Sequence, residues 1–229
     1  MILDENAYIE NIYPCNRMIV TRQKNFNDLL KSIGDAPVFI IGCSECATIC
    51  HTGGEEEVLQ MKDTLKKKNI NVTGWVVLDP ACNLQNDKRL LRKYKKELDK
   101  AKKILVLSCG SGVQTVSEII DSIDVIPGAD TIFLGEIARL TDFEKRCNLC
   151  GDCIQDLFGG LCPISRCPKS MLNGPCGGSV NGKCEVGSDL DCIWDAIFKR
   201  LKDKGELHRL KEIKKPKDWS RSTETRRVL

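Results

Sequence analysis

The chain has 229 residues, 41% hydrophobic and 29% charged, a composition that suits one or two ordinary soluble domains. No stretch approaches 18 consecutive apolar residues, so no membrane span is expected, and a net charge of +3 makes no case for nucleic-acid binding. Residues Met1–Glu10 hold three acids, no basic residue and no long apolar run, unlike an export signal, so a cytoplasmic location is expected. In that compartment the fourteen cysteines are expected to be buried thiols, metal ligands or catalytic thiols rather than disulfides.

Before the main α/β set, a strand is expected over Met18–Arg22 and a helix over Phe26–Ile33. Pro37–Gly42 is a continuous apolar run, as in a strand buried on both faces of a parallel sheet. A helix starts near Glu55, with Thr52 and Glu55 as a capping box, Glu55–Glu57 in its first turn and Lys66–Lys68 in its last. A strand at Val72–Leu78, a helix at Asp87–Lys100 with Leu90, Leu91, Tyr94 and Leu98 on one face, and a strand at Lys103–Leu107 follow. A helix at Val113–Asp121 and a fourth strand at Thr131–Leu134 complete the set. This alternation predicts an α/β domain over residues 1–140, built on a parallel Rossmann-like or flavodoxin-like sheet.

From about Thr141 the character changes, and residues 141–229 are read as a second, Cys-rich domain. Arg146–Cys192 has neither helical nor strand periodicity and is expected to fold around metal instead of an apolar core. A final amphipathic helix carries Leu190, Ile193, Trp194, Ile197, Phe198 and Leu201 on one stripe. From Lys199 onward twelve Lys and Arg face five Asp and Glu, so the rest of the chain stands at −4. The basic tail beyond Lys214 is expected to be disordered alone and to dock, through Trp219, on an acidic partner surface.

The cysteines fall in two sets. Cys43, Cys46 and Cys50 follow the first strand of the α/β set, Cys82 the second and Cys109 the third, all at the carboxyl edge where open α/β sheets bind ligands. If the first of these strands lies between the other two, the three loops converge. Four thiolates at one point suit a [4Fe–4S] cluster, and Cys43, which ends the buried strand, is the first to set aside as spare. The competing motifs are weaker. Cys43-x-x-Cys46 is thioredoxin-like but leaves Cys82 and Cys109 unexplained, and Gly110-Ser-Gly112 lacks the third glycine of a dinucleotide fingerprint.

In the second set Cys147, Cys150 and Cys153 form Cys-x2-Cys-x2-Cys, the opening of a ferredoxin-type run, and are expected to hold a cluster. Cys162, Cys167, Cys176, Cys184 and Cys192 follow. For these a second cluster or a tetrahedral zinc both fit, the zinc for example on 162, 167, 176 and 184. His51 is read as a loop residue, and Cys15 as an isolated buried thiol.

The segment Cys162-Pro-Ile-Ser-Arg-Cys-Pro-Lys-Ser-Met-Leu-Asn-Gly-Pro-Cys-Gly-Gly-Ser-Val-Asn-Gly-Lys-Cys184, with Cys147-Asn-Leu-Cys-Gly-Asp-Cys153 before it, resembles the C-terminal domain family associated with methylenetetrahydrofolate reductases. With Met18–Lys24 and the Gly42–Cys50 loop included, residues 15 to 205 resemble the small iron–sulfur subunit of the reductase in acetogenic bacteria. The resemblance implies a flavin-containing TIM-barrel partner that reduces methylenetetrahydrofolate in the Wood–Ljungdahl pathway, with a ferredoxin or another donor subunit upstream. It implies an electron-relay and scaffolding role for this chain, with [4Fe–4S] clusters and no flavin or catalytic residue of its own. A structural zinc module bracing the flavoprotein, without redox work, is the alternative.

Overall fold

The computed structural model describes residues 18–139 and 142–222. Cys15, Met1–Glu10, the boundary drawn at Thr141 and the end of the tail beyond Ser222 lie outside the described residues. The chain divides into two compact units between Ile132 and Phe133.

In the first unit the order is β1 (Ile19–Gln23), α1 (Phe26–Ile33), β2 (Val38–Cys43), α2 (Cys46–Ile49), α3 (Glu55–Lys67), β3 (Val72–Leu78), α4 (Leu84–Leu91), α5 (Lys95–Leu98), β4 (Lys103–Val106), α6 (Gly110–Ile119) and β5 (Asp124–Pro127). Strand β6 (Ala129–Arg139) then runs on into the second unit. Four strands make a parallel sheet in the order β3-β2-β4-β5, so β2 is central between β3 and β4. That is the flavodoxin-like arrangement on which convergence of the three loops depends.

The physical basis is visible along β2, every residue of which is buried. Successive side chains point to opposite faces. Phe39, Ile41 and Cys43 join Val76, Leu78, Ile104 and Val106 on one face, with Leu91 of α4 and Val116 of α6. Val38 and Ile40 join Leu105 and Leu107 on the other, with Leu29 and Ile33 of α1 and Val58 and Leu65 of α3. Helices thus cover both faces of the sheet.

Several local expectations are corrected. Helix α3 is capped by Gly54, whose N–H donates to the Glu57 carboxylate at 2.8 Å. Thr52 instead pairs its hydroxyl with that of Thr21 at 2.6 Å. The helix expected at Asp87–Lys100 is broken by a tighter turn at Arg92–Tyr94, where Tyr94 packs edge-on to Phe39 with ring centroids 5.9 Å apart. The fourth parallel strand is β5, a short proline-ended edge with one buried residue, Ile126. Residues Thr131–Leu134 belong to β6, which pairs antiparallel with β7 (Asp142–Cys147) in a separate sheet of order β1-β6-β7.

The second unit adds α7 (Pro163–Arg166), the hairpin β8 (Lys183–Cys184) and β9 (Gly187–Asp191), and α8 (Ile193–Asp203). Contrary to the expectation of no apolar core, Ile193, Trp194, Ile197 and Leu201 of α8 bury against Phe158, with Leu157, Leu161, Met171 and Leu172 around them. Phe158 and Trp194 meet edge-on at 5.5 Å, and the indole N–H donates to the Met171 carbonyl at 3.0 Å. Phe198 and Leu190, placed on the same stripe, are instead exposed. No helix among the described residues is long and apolar enough to cross a membrane.

Candidate metal centres

Five cysteines occupy the carboxyl edge of the parallel sheet, as the topology requires. Cys43 ends β2, Cys46 opens α2, Cys50 closes it, Cys82 follows β3 and Cys109 caps α6. The loop carrying Cys46 and Cys50 is pressed onto the sheet's end, where a Cβ on Gly53 would lie 1.8 Å from the Leu107 carbonyl oxygen. Only glycine permits that approach.

Four of the five influence one another electrostatically. Burial, the largest influence, pushes the Cys43, Cys46 and Cys82 thiols above their ordinary range, and charge on Cys109 pushes each further. Cys82 also feels Cys43 and Cys46. Cys43, Cys46, Cys82 and Cys109 are therefore electrostatic neighbours. Cys50 turns toward β1, where its sulfur accepts the Thr21 N–H at 3.5 Å and lies 3.7 Å from the Ile19 carbonyl. The Ile19 N–H donates to Cys46 at 3.4 Å. Cys43, set aside from the sequence as spare, feels the charge of Cys109, while Cys46 and Cys50 both contact Ile19 of β1.

The donor chemistry of this group fits a thiophilic metal. Burial opposes the thiolate form most plainly at Cys43, and a cation bound beside these sulfurs would relieve that opposition, since binding and deprotonation are coupled. Among the described residues, no three His, Cys, Asp or Glu side chains are drawn together tightly enough to hold a metal ion as they stand. The thiols share an edge without closing on a point.

In the second unit the eight cysteines separate. Cys147 ends β7, and the loop after it curls through positive φ at Leu149 (54°) and Gly151 (73°). The Leu149 N–H is thereby aimed at the Cys147 sulfur at 3.3 Å, and the Cys150 thiol lies 3.6 Å from the Asp152 carbonyl. Such curled loops present backbone N–H groups to an anion. Cys153 is exposed beside them. Cys162 caps α7, and α7 is tied to this same loop: Ser165 donates to the Arg146 carbonyl at 2.8 Å and Asn148 to that of Ile164 at 3.1 Å.

Cys167, Cys176, Cys184 and Cys192 line a different pocket, with Lys169, Glu185 and Trp194. Cys192 is held there by its N–H to the Gly182 carbonyl at 2.8 Å. The Cys176 thiol lies 3.5 Å from the Glu185 carboxylate, whose ion pair with Lys169 holds it below the usual carboxylate range. The zinc set suggested from sequence, with Cys162 in place of Cys192, is not the set that shares this pocket. His51 lies at the surface, 3.4 Å from Glu57, outside all three groups.

Sequence reasoning missed the N–H donors of β1 and the contacts of Lys217 and Asp152 described below. Nothing local marks them, because each depends on a partner far along the chain.

Residues 126–220 match the protein family described as methylene-tetrahydrofolate reductase C terminal. The match takes in all eight cysteines of the second unit and less than half of the chain. Comparison with curated proteins and with solved structures gives no match.

Proposed function

We propose that the chain is an iron–sulfur electron-carrier subunit working beside a methylenetetrahydrofolate reductase. It passes electrons toward the flavin of the catalytic subunit in Wood–Ljungdahl one-carbon metabolism, and braces that subunit. The observation that carries this reading is that cysteines share the carboxyl edge of the sheet, while four more line one pocket in a unit whose residues match a reductase-associated family.

Cys43, Cys46, Cys82 and Cys109 are the ligands proposed for one [4Fe–4S] cluster, with Cys147, Cys150, Cys153 and Cys162 for another. A thiolate-bound cubane supplies one-electron chemistry at low potential. This chain's own part is to hold the sulfurs, keep water from Cys43 and point N–H groups at Cys46, Cys50 and Cys147. Such donors stabilise the added negative charge of a reduced centre.

A second reading keeps one specific support. Cys167, Cys176, Cys184 and Cys192 around one small pocket are also a four-thiolate set of the kind that holds structural zinc. Anaerobic purification of the chain, with iron, sulfide and zinc analysis and an absorption spectrum before and after dithionite, separates the two. Brown protein that bleaches supports the carrier. Colourless protein holding zinc alone would falsify it and leave the bracing module.

A further inference from the structure

Beyond Lys214 the chain is basic and has little to bury, the composition of a segment without a core of its own. It is nevertheless tied to its own unit at three places, which corrects the expectation of a disordered tail as far as Ser222. Asn173 donates to the Lys214 carbonyl at 2.9 Å and accepts the Lys214 N–H at 2.7 Å. Lys217 donates to the Asp152 carbonyl and stands 3.5 Å from the Asp152 carboxylate, whose other oxygen lies 3.6 Å from Arg221. Gly151 receives the Arg221 carbonyl so closely that a Cβ there would sit 2.6 Å from its oxygen.

The Lys217 side chain is the most enclosed of the ion-paired tail cations, 4% exposed against 14% for Lys214 and 52% for Arg221. An ammonium leaves water only where something replaces its hydration. Here the replacement is Asp152, in the middle of the Cys150-Gly-Asp-Cys153 loop. The Cys150 sulfur lies 3.6 Å from the same Asp152 carbonyl oxygen that Lys217 reaches. Ammonium and thiol therefore flank one oxygen and lie within a few ångströms of each other.

We propose that Lys217 is a positioning residue for the Cys147–Cys153 loop. It clamps residues 214–222 across the loop and fixes a positive charge beside Cys150, raising the reduction potential of a centre bound there. A nearby cation favours the more negative, reduced form. The charge role rests on the electron-carrier reading, whereas the clamp does not.

The test uses the full chain with Lys217→Met and Lys217→Arg, in two measurements. Hydrogen exchange by mass spectrometry is expected to speed up about tenfold or more in Lys217→Met at residues 147–153 and 214–222, with α8 unchanged, because a charge-assisted hydrogen bond is lost. Lys217→Arg, which keeps the charge, is expected to stay nearer the parent. Unchanged exchange in both segments overturns the clamp. Should Lys217→Met loosen α8 as well, Arg221→Ala replaces it, and unchanged exchange at 147–153 in that variant counts against the clamp equally.

Redox titration of the anaerobic protein decides the charge role. One reduction step is expected at lower potential in Lys217→Met and close to the parent value in Lys217→Arg. Identical potentials in all three proteins overturn it. A parent chain that takes up no iron counts against the carrier reading and the charge role together, while exchange still decides the clamp.

Discussion

Ile19 gives its backbone N–H to the sulfur of Cys46 at 3.4 Å, from a strand that belongs to a different sheet from the one whose edge carries the thiols. Two residues on, Thr21 does the same for Cys50. Alternate N–H groups of β1 thus face a helix turn, where a neighbouring strand would otherwise sit, and sulfur takes the place of carbonyl oxygen.

The division of the edge cysteines is testable by ligand removal. Cys109→Ser is expected to lower iron and sulfide by about one cluster, roughly four irons per chain. Cys50→Ser, outside the electrostatic group, is expected to lower it by clearly less. Equal losses in the two variants would place Cys50 among the ligands and count against the grouping.

The two groups in the second unit are expected to lose metal independently. Cys150→Ser should remove the metal held by the Cys147 loop and leave that of the Cys176 pocket, and Cys184→Ser should do the reverse. Metal analysis of both single variants beside the parent is the check. If either substitution empties both sites, the eight cysteines act as one centre.

Asp87 predicts a pH dependence in the first unit. Its carboxylate is fully buried with no well-formed hydrogen bond among the described residues, and burial, opposed by the nearby Asn83 backbone N–H, pushes its pKa from 3.8 to about 6. The folded state therefore binds this proton more tightly than the unfolded chain does. The stability linked to that proton is fully present below pH 3.8 and is lost as pH rises through about 6. The displacement corresponds to at most about 3 kcal/mol. Asp87→Asn lacks this loss, so it should gain on the parent by roughly 1–2 kcal/mol between pH 4.5 and 7.5. Urea denaturation at the two pH values measures it, and a pH-independent difference would show that Asp87 ionises at no cost.

The small core around α8 predicts that the second unit is not held by metal alone. In chelated protein, amides of α8 and of residues 154–161 should keep measurable protection from exchange, while the 147–153 loop and the 174–192 segment lose theirs. Trp194→Ala removes the ring against Phe158 and the hydrogen bond to Met171, and is expected to cost about 3–5 kcal/mol. Loss of protection throughout the chelated unit would restore the view that metal supplies all of its order.

Several elements could be read without coordinates because their signals lie within a few residues. The apolar run at Val38–Cys43 belongs to a strand covered on both faces, and the Glu and Lys clusters bracket α3 through the helix dipole. The placement of five cysteines at the carboxyl edge of the parallel sheet was likewise legible from the strand pattern. Sequence alone left open which sulfurs are neighbours, placed the fourth parallel strand at Thr131–Leu134 where the sheet uses β5, and read the basic tail as disordered. Those outcomes depend on residues brought together from far along the chain, such as Cys167 and Cys192 around one pocket and Asp152 against Lys217. Closing such loops costs chain entropy that only the assembled sheet and the α8 core offset, so no local pattern encodes them.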